Sequence, residues 1–388
     1  MNLLRQIGIV SLLNFKSLRQ RLWQSLVIVI GMGLAIGVLL SMLSMTEGLH
    51  QAYLKTGDPG LVLVVSAGTQ WEGVSSIPRD QMRIILNAPG IARAADGSPL
   101  ADPGLAVGVP VLLLKNGARS YANLRGFGSK GVMLRPELHM VAGRMFRPGT
   151  HELIVGTGAQ GQFRGMAIGD KVILPDGEWP IVGSFTTGDL LDGQLIGDTE
   201  TVMLAVRRPA YTTALLRMAS PASFASFSHA LNTNPVLRVD VMRLSDWNRK
   251  TSAQFSTFFN VIAYGTGVIL AVGALFGCFN TMYAAVGARG REIATLRALG
   301  YGGFAVAVSV IVEAAALSLA GALIGAAIAW WQYDGVQDGF GSDVFTMTVS
   351  PALIGIALLW AIAVAFLGGA LPAIRAARLT VVEALRAT

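Results

Sequence analysis

The sequence predicts a membrane α-helical protein of four spans, with both termini cytosolic and one large external α+β domain between the first and second spans. Three observations predict it. Hydrophobic residues make up 53% of the chain and charged ones only 14%, whereas a soluble domain carries roughly a quarter charged. The windows Leu22–Thr46, Thr251–Ala288, Ala298–Tyr333 (broken only by Glu313) and Val344–Ile374 are otherwise uncharged, and each exceeds the roughly 20 residues that a spanning helix needs. Arg5, Lys16, Arg19 and Arg21 fill the N-terminal flank without an acid, while Asp334, Asp338 and Asp343 occupy residues 333–349 without a base, an asymmetry that places the termini in the cytosol.

Residues 1–22 place Leu3, Leu4, Ile7, Val10 and Phe15 beside Lys16, Arg19 and Arg21, a pattern suited to a helix lying along anionic lipid. The first span, 23–45, is too long for a cleavable signal peptide and has no small-residue cleavage site. Gly33 and Gly37 stand at GxxxG spacing within it, as do Gly273 and Gly277 in the second span and Gly321 and Gly325 in the third. Such pairs let helix backbones approach closely, although they also arise by chance in glycine-rich spans.

Residues 46–250 form the external domain, large enough for one sizeable unit or two small lobes. Residues 47–250 carry 20 basic and 17 acidic side chains, a net of +3 against +7 for the chain. The excess charge is therefore topological, and no nucleic-acid footprint is expected. Leu61–Val65 reads as a buried strand. Pro78 opens a helix that Pro89 and Gly90 close. Asn116-Gly117 and Asp176-Gly177 each lie between apolar runs as hairpin turns. Helices are expected at Thr199–Arg208, at Pro221–Leu231 and from Asp246 onward. No Gly or Pro interrupts Leu244–Tyr264, so this last helix runs on into the second span as a stalk within 251–288. Cys278 is the sole cysteine and falls in that span, so the external domain has no disulfide of its own.

Catalytic chemistry is not expected. GTGAQG at 156–161 follows Leu153-Ile154-Val155 and matches GxGxxG, with Asp176 about twenty residues on. Without an evident βαβ context it reads as a plain strand-to-helix turn. The chain contains no GxxxxGK[ST], HExxH or GxSxG, and His50, His139, His151 and His229 lack metal spacing. No cofactor or metal is expected in this chain. Glu313 is the one ionisable residue inside a span, where an unpaired carboxylate is costly. It is either a gate or relay, or a helix-packing hydrogen bond.

Between the second and third spans lies a charged island, 289–302. Arg289, Arg291 and Arg297 outweigh Glu292, and Ile293 and Leu296 share one face of a short helix that Gly300 ends. Arg289-x-Arg291-Glu292-Ile293-x-x-x-Arg297-Ala298-Leu299-Gly300 resembles the signature loop of the MacB/FtsX/LolC group of ABC transporter permeases. The third span (303–332), external loop (333–349) and fourth span (350–372) lead to a cytosolic tail, 373–388. There Pro372, Ala373, Ala376, Ala377, Leu379, Glu383, Ala384, Leu385 and Arg386 are similar to that family's ending, with Val381 in place of its usual proline. Gly169–Phe185 resembles the end of its periplasmic core domain.

The resemblance implies a four-span inner-membrane subunit with a periplasmic domain, working with a second permease copy and a dimeric ATPase that carries ATP and Mg. The loop would be the coupling helix, with Ile293, Leu296 and Leu299 in the ATPase groove and Arg291, Glu292 and Arg297 at its rim. Export with a periplasmic adaptor is the leading expectation. Lipoprotein or lipid extraction and activation of a cell-wall hydrolase are the alternatives within the family. A proton-driven secondary transporter lacks the expected inverted repeat.

Overall fold

The computed structural model describes residues 3–17, 22–55, 58–340 and 343–378. Helix α1 (Leu3–Ser17) precedes α2 (Leu22–Lys55). The next segment alternates short elements: β1 (Leu61–Ser66), α3 (Arg79–Leu86), β2 (Ala101–Leu112), β3 (Arg119–Phe127), β4 (His139–Gly143), β5 (Leu153–Gly156) and α4 (Thr157–Gln162). It continues with β6 (Lys171–Leu174), β7 (Gly177–Thr186), β8 (Leu195–Asp198), α5 (Thr199–Ala205), β9 (Thr213–Arg217), α6 (Ser223–Asn232) and β10 (Val239–Arg243). Helix α7 (Leu244–Ala288), α8 (Gly290–Ala298), α9 (Gly303–Tyr333), a hairpin of β11 (Gln337–Phe340) and β12 (Asp343–Thr346), and α10 (Pro351–Arg378) complete it.

Four helices, Ser25–Lys55 within α2 and the whole of α7, α9 and α10, are long and apolar enough to cross a membrane. The chain divides into two compact units: residues 1–47, 257–336 and 347–388 form one, and 48–256 with 337–346 form the other. Arg19, Arg21, Leu379, Val381, Glu383, Ala384, Leu385 and Arg386 lie outside the described residues.

The second unit is built on a mixed sheet ordered β10-β1-β9-β2-β3-β8-β5-β7-β4, with β6 paired to β7. The β3–β8 and β5–β7 pairs are parallel and the others antiparallel. Side chains alternate across a strand, and β1 uses both faces. Val62 and Val64 enter the main core with Ile77, Ile85, Leu216 and Phe227. Leu61, Leu63 and Val65 pack on the other side with Leu244 and Trp247 from the first turn of α7. The sheet is thus buried on both sides at β1, one strand in from its edge, which explains why β1 reads as a continuous apolar run rather than an alternation.

Both glycine turns form as expected. Asn116-Gly117 joins β2 to β3 with Gly117 at φ +69°, and Gly177 after Asp176 has φ +143° between β6 and β7. The helix from Asp246 begins two residues earlier and is unbroken to Ala288. At ~1.5 Å per residue it is ~68 Å long, more than twice the hydrocarbon thickness.

In the membrane unit the glycines sort into two classes. A Cβ on Gly325 would meet the Gly33 carbonyl at 2.3 Å, and one on Gly321 would meet the Val29 carbonyl at 2.4 Å. On the other side, Gly33 and Gly37 face the carbonyls of Gly321 and Gly325. The first and third GxxxG pairs are therefore the two halves of one close crossing of α2 and α9. Gly273 and Gly277 differ, since a Cβ at either meets nothing within 4 Å. The expected packing role does not hold for them within this chain, because the surrounding face of α7 is open.

Candidate functional site

The charged island folds as expected into a short helix, α8, with Gly300 closing it at φ +91°. Its sides are distributed differently from the expectation. Ile293 is only 6% exposed and sits in a membrane-unit cluster with Val286, Val306, Val310, Ala373 and Ala376, and Ala294 is buried beside it. Leu296 is half-buried, while Leu299 is 72% exposed. The outward edge is therefore Arg291, Glu292, Thr295 and Leu299. The expectation that Ile293 presents itself to a partner is corrected: three-residue spacing put Ile293 and Leu296 on one apolar face, and that face turns inward because an apolar cluster of the same chain covers it. Leu299, one residue past α8, is the apolar side chain left outside.

Two polar clamps hold α8. Arg289, its N-cap residue, is buried and lies 3.5 Å from the Glu313 carboxylate and 2.9 Å from that of Glu292. Glu313, about a third of the way along α9, is buried as well, with 7% of its side chain exposed against 8% for Arg289. The intramembrane acid is thus ion-paired to the loop. At the other end Arg297 donates to the Ala377 carbonyl at 2.6 Å. A cation on the last-turn carbonyls of α10 meets the negative end of that helix. Gly303 leaves room for this contact, since a Cβ there would strike both Arg297 and Ala377. The adjoining turn is held by Gln6 of α1, which accepts from the Gly302 amide at 3.2 Å. Of the two arginines expected at the rim, Arg291 is on the surface, whereas Arg297 is half-buried on the end of α10.

In the second unit, GTGAQG forms a strand-to-helix turn between β5 and α4. Its glycines are demanded by packing. A Cβ on Gly156 would lie 2.2 Å from the Asp192 carbonyl, and one on Gly158 would touch both Asp192 and Val344. Asp176 accepts from the Trp179 indole at 2.9 Å and faces His151 at 3.1 Å, so it is not placed for a ribose. Among the described residues no cluster of His, Cys, Asp and Glu has the makings of a metal site.

Sequence reasoning missed several features of this unit. The loop 333–349 forms a hairpin whose Val344 packs against Gly158 and Gly193. The helices that enter and leave the unit are tied together by His50 Nδ1 to Ser252 Oγ at 2.7 Å and by stacking of Tyr53 on Phe255. Asp102 is buried on β2, where it accepts from the Gly128 amide at 3.1 Å while its other oxygen has no hydrogen bond. Burial raises its pKa to about 6, against the opposing effects of the Gly128 amide and Arg135. None of these has a local signal, because each depends on residues far apart in sequence.

Two family models agree with this architecture. Residues 25–234, more than half of the chain, match the family model of the MacB-like periplasmic core domain, and residues 264–381 match that of the FtsX-like permease C-terminal region. Among solved structures the chain is similar to the extracellular domain of the noncanonic ABC-type transporter YknZ from Gram-positive bacteria. That match has 12% identity and a TM-score of 0.36, and covers 47% of this chain and 99% of that one. No curated protein matches the chain. The matched core domain spans the first membrane helix and the mixed sheet, and the C-terminal match takes in most of α7, then α8, α9 and α10. The chain belongs to the MacB/FtsX family of ABC transporter permeases.

Proposed function

We propose that this permease couples ATP hydrolysis on a separate dimeric ATPase to motion of its external domain, driving export from the periplasmic side of the inner membrane together with an adaptor protein. ATP and Mg belong to the ATPase in this reading. The observation that carries it is the construction of α8. A loop that merely joined two spans would need no buried ion pair to α9 and no cap on the end of α10, yet α8 has both. A push on its outer edge is delivered to two membrane helices at once.

The docking edge in this reading is Leu299 with Arg291, Glu292 and Thr295, and Ile293 and Leu296 act as the seat of the loop. A second permease copy would cover α7, whose Val261, Ile269 and Phe276 are each more than 60% exposed. The test is co-purification with the ATPase and measurement of ATPase stimulation. Leu299→Asp with Arg291→Glu should abolish both while leaving the thermal midpoint of the permease unchanged. Normal binding and stimulation by that double variant would refute the assignment. Co-isolation with a cell-wall hydrolase in place of an adaptor would replace export by hydrolase activation.

A further inference from the structure

The external unit contains a cavity of about 350 Å³, which is in the size range of small-molecule sites. Its walls are of two kinds. One is aromatic: Trp71 meets Phe255 edge-on at 4.8 Å between centroids, Tyr53 stacks on Phe255, and Trp247 completes the wall. The other is charged and holds Glu72, Arg125 and Arg135.

Glu72 and Arg125 satisfy one another at 2.7 Å, and Arg125 Nε also donates to Gln194 at 3.0 Å. Arg135 is different. It is 94% buried, with 6% of the residue exposed, its guanidinium lies over the Phe127 ring at 5.3 Å, and its Nε has no hydrogen-bond partner. Among the described residues no carboxylate is within ion-pair distance of it. The acids that face it at longer range are Glu72, Asp189, Glu137 and Asp102, the last of which spends one oxygen on the Gly128 amide. Glu72 is matched by Arg125, and Asp189 is occupied by Thr187 and the Leu191 amide. Burying an unmatched guanidinium is costly, and a planar carboxylate is its natural complement.

We infer that this cavity binds one monoanionic amphiphile, its carboxylate on Arg135 and its apolar body against Trp71, Trp247 and Phe255. The charge count sets the class. Among the side chains that line the cavity, two arginines and one glutamate leave a single positive charge for the ligand to match. The aromatic wall excludes a small inorganic anion as the preferred occupant, since such an ion leaves those rings uncovered. The inference goes beyond the coupling reading and does not rest on it, because binding is read without an ATPase.

The experiment is calorimetric titration of the full-length chain in lipid nanodiscs with 2-naphthoate as probe. One saturable site per chain is expected. Neutral 2-naphthamide should bind at least tenfold more weakly, and inorganic phosphate should not compete. Arg135→Met, which keeps the length of the stem, should weaken naphthoate binding at least tenfold. Trp71→Ala should weaken it severalfold, and because Trp71 is 47% exposed that variant keeps its fold even where the arginine variant does not. Absence of a saturable site, equal binding of the amide, competition by phosphate as effective as by unlabelled naphthoate, or unchanged affinity in Trp71→Ala would each overturn the inference.

Discussion

Replacing either member of the Arg289–Glu313 pair should loosen the loop from the bundle. The charges are 3.5 Å apart with under a tenth of either side chain exposed. At an effective dielectric constant of about 20 the attraction is about 5 kcal/mol. Part of that offsets desolvation, so the pair itself adds little. Removing one partner is a different perturbation, because the survivor stays buried without this counter-charge, at a cost of about 3–5 kcal/mol. Glu292 recovers little of it for Arg289, since its side chain is 59% exposed. Glu313→Gln and Arg289→Met each preserve approximate volume. Cys278 provides the assay. It is the sole cysteine, fully buried in the same apolar cluster as Val286, Ile293 and Val310, so a thiol-reactive fluorophore reports when that cluster opens on heating. At roughly 2–4 °C per kcal/mol, each single variant should open roughly 10 °C below the parent. The double variant should lose less than the sum of the singles, because it removes both buried charges. Single variants within about 1 °C of the parent, or strictly additive losses, would refute the view that this pair seats the loop.

The glycine crossing makes a paired prediction. Gly325→Ala should lower the same midpoint by several degrees because its Cβ has only backbone to meet, whereas Gly273→Ala should leave it unchanged and act, where it acts at all, on self-association measured by cross-linking. In the external unit Asp102 sets a pH dependence. Its folded pKa of about 6 stands above its ordinary 3.8, so its protonated form stabilises the fold fully below about pH 4, and that contribution, at most roughly 3 kcal/mol, is lost as the pH rises through about 6. Thermal midpoints between pH 4 and 8 should fall with rising pH more steeply in the parent than in Asp102→Asn. Gly193→Ala would place a Cβ under 3 Å from the backbone nitrogen and side chain of Val344, and limited proteolysis should then cut within 337–346 faster than in the parent.

The membrane architecture was legible because burial in lipid requires long uncharged runs, and no tertiary contact is needed to see them. The turns at Gly117 and Gly177 were legible for a similar reason, since positive φ is a local demand. What escaped was directional. Ile293 and Leu299 are both apolar residues of one loop, and spacing alone assigns them together. Only the positions of Val310 and Ala373, far along the chain, decide that Ile293 faces in and leaves Leu299 outside. The same holds for the glycines. Gly33 and Gly273 have equivalent GxxxG contexts, but one meets a second GxxxG on α9 and the other meets nothing. The most informative miss is Arg135, which in sequence is one of many arginines in a polar stretch. Its unmatched burial exists only once Phe127 and the cavity wall have been folded around it.

These differences bear on how the loop acts if the ATPase docks on it. A surface apolar pair such as Ile293 and Leu296 would have offered a greasy contact with no leverage, since nothing would fix the loop to the spans behind it. The arrangement found separates the two tasks. Leu299, Arg291 and Thr295 lie on the exposed edge, while Ile293, Arg289 and Arg297 would transmit in the proposed coupling. The two transmitting clamps end on α9 and α10, helices that the chain joins again through the β11–β12 hairpin, whose Val344 packs on the Gly158 and Gly193 turns of the external unit. In the proposed coupling, a displacement of α8 would reach both helices that lead into that hairpin. The consequence is testable without naming a cargo: severing the hairpin contact with Gly193→Ala should leave ATPase binding intact and abolish the effect of nucleotide on the external unit, measured as a nucleotide-dependent change in its proteolysis pattern. A variant that kept the nucleotide-dependent pattern would show that the signal travels along α2 and α7 alone.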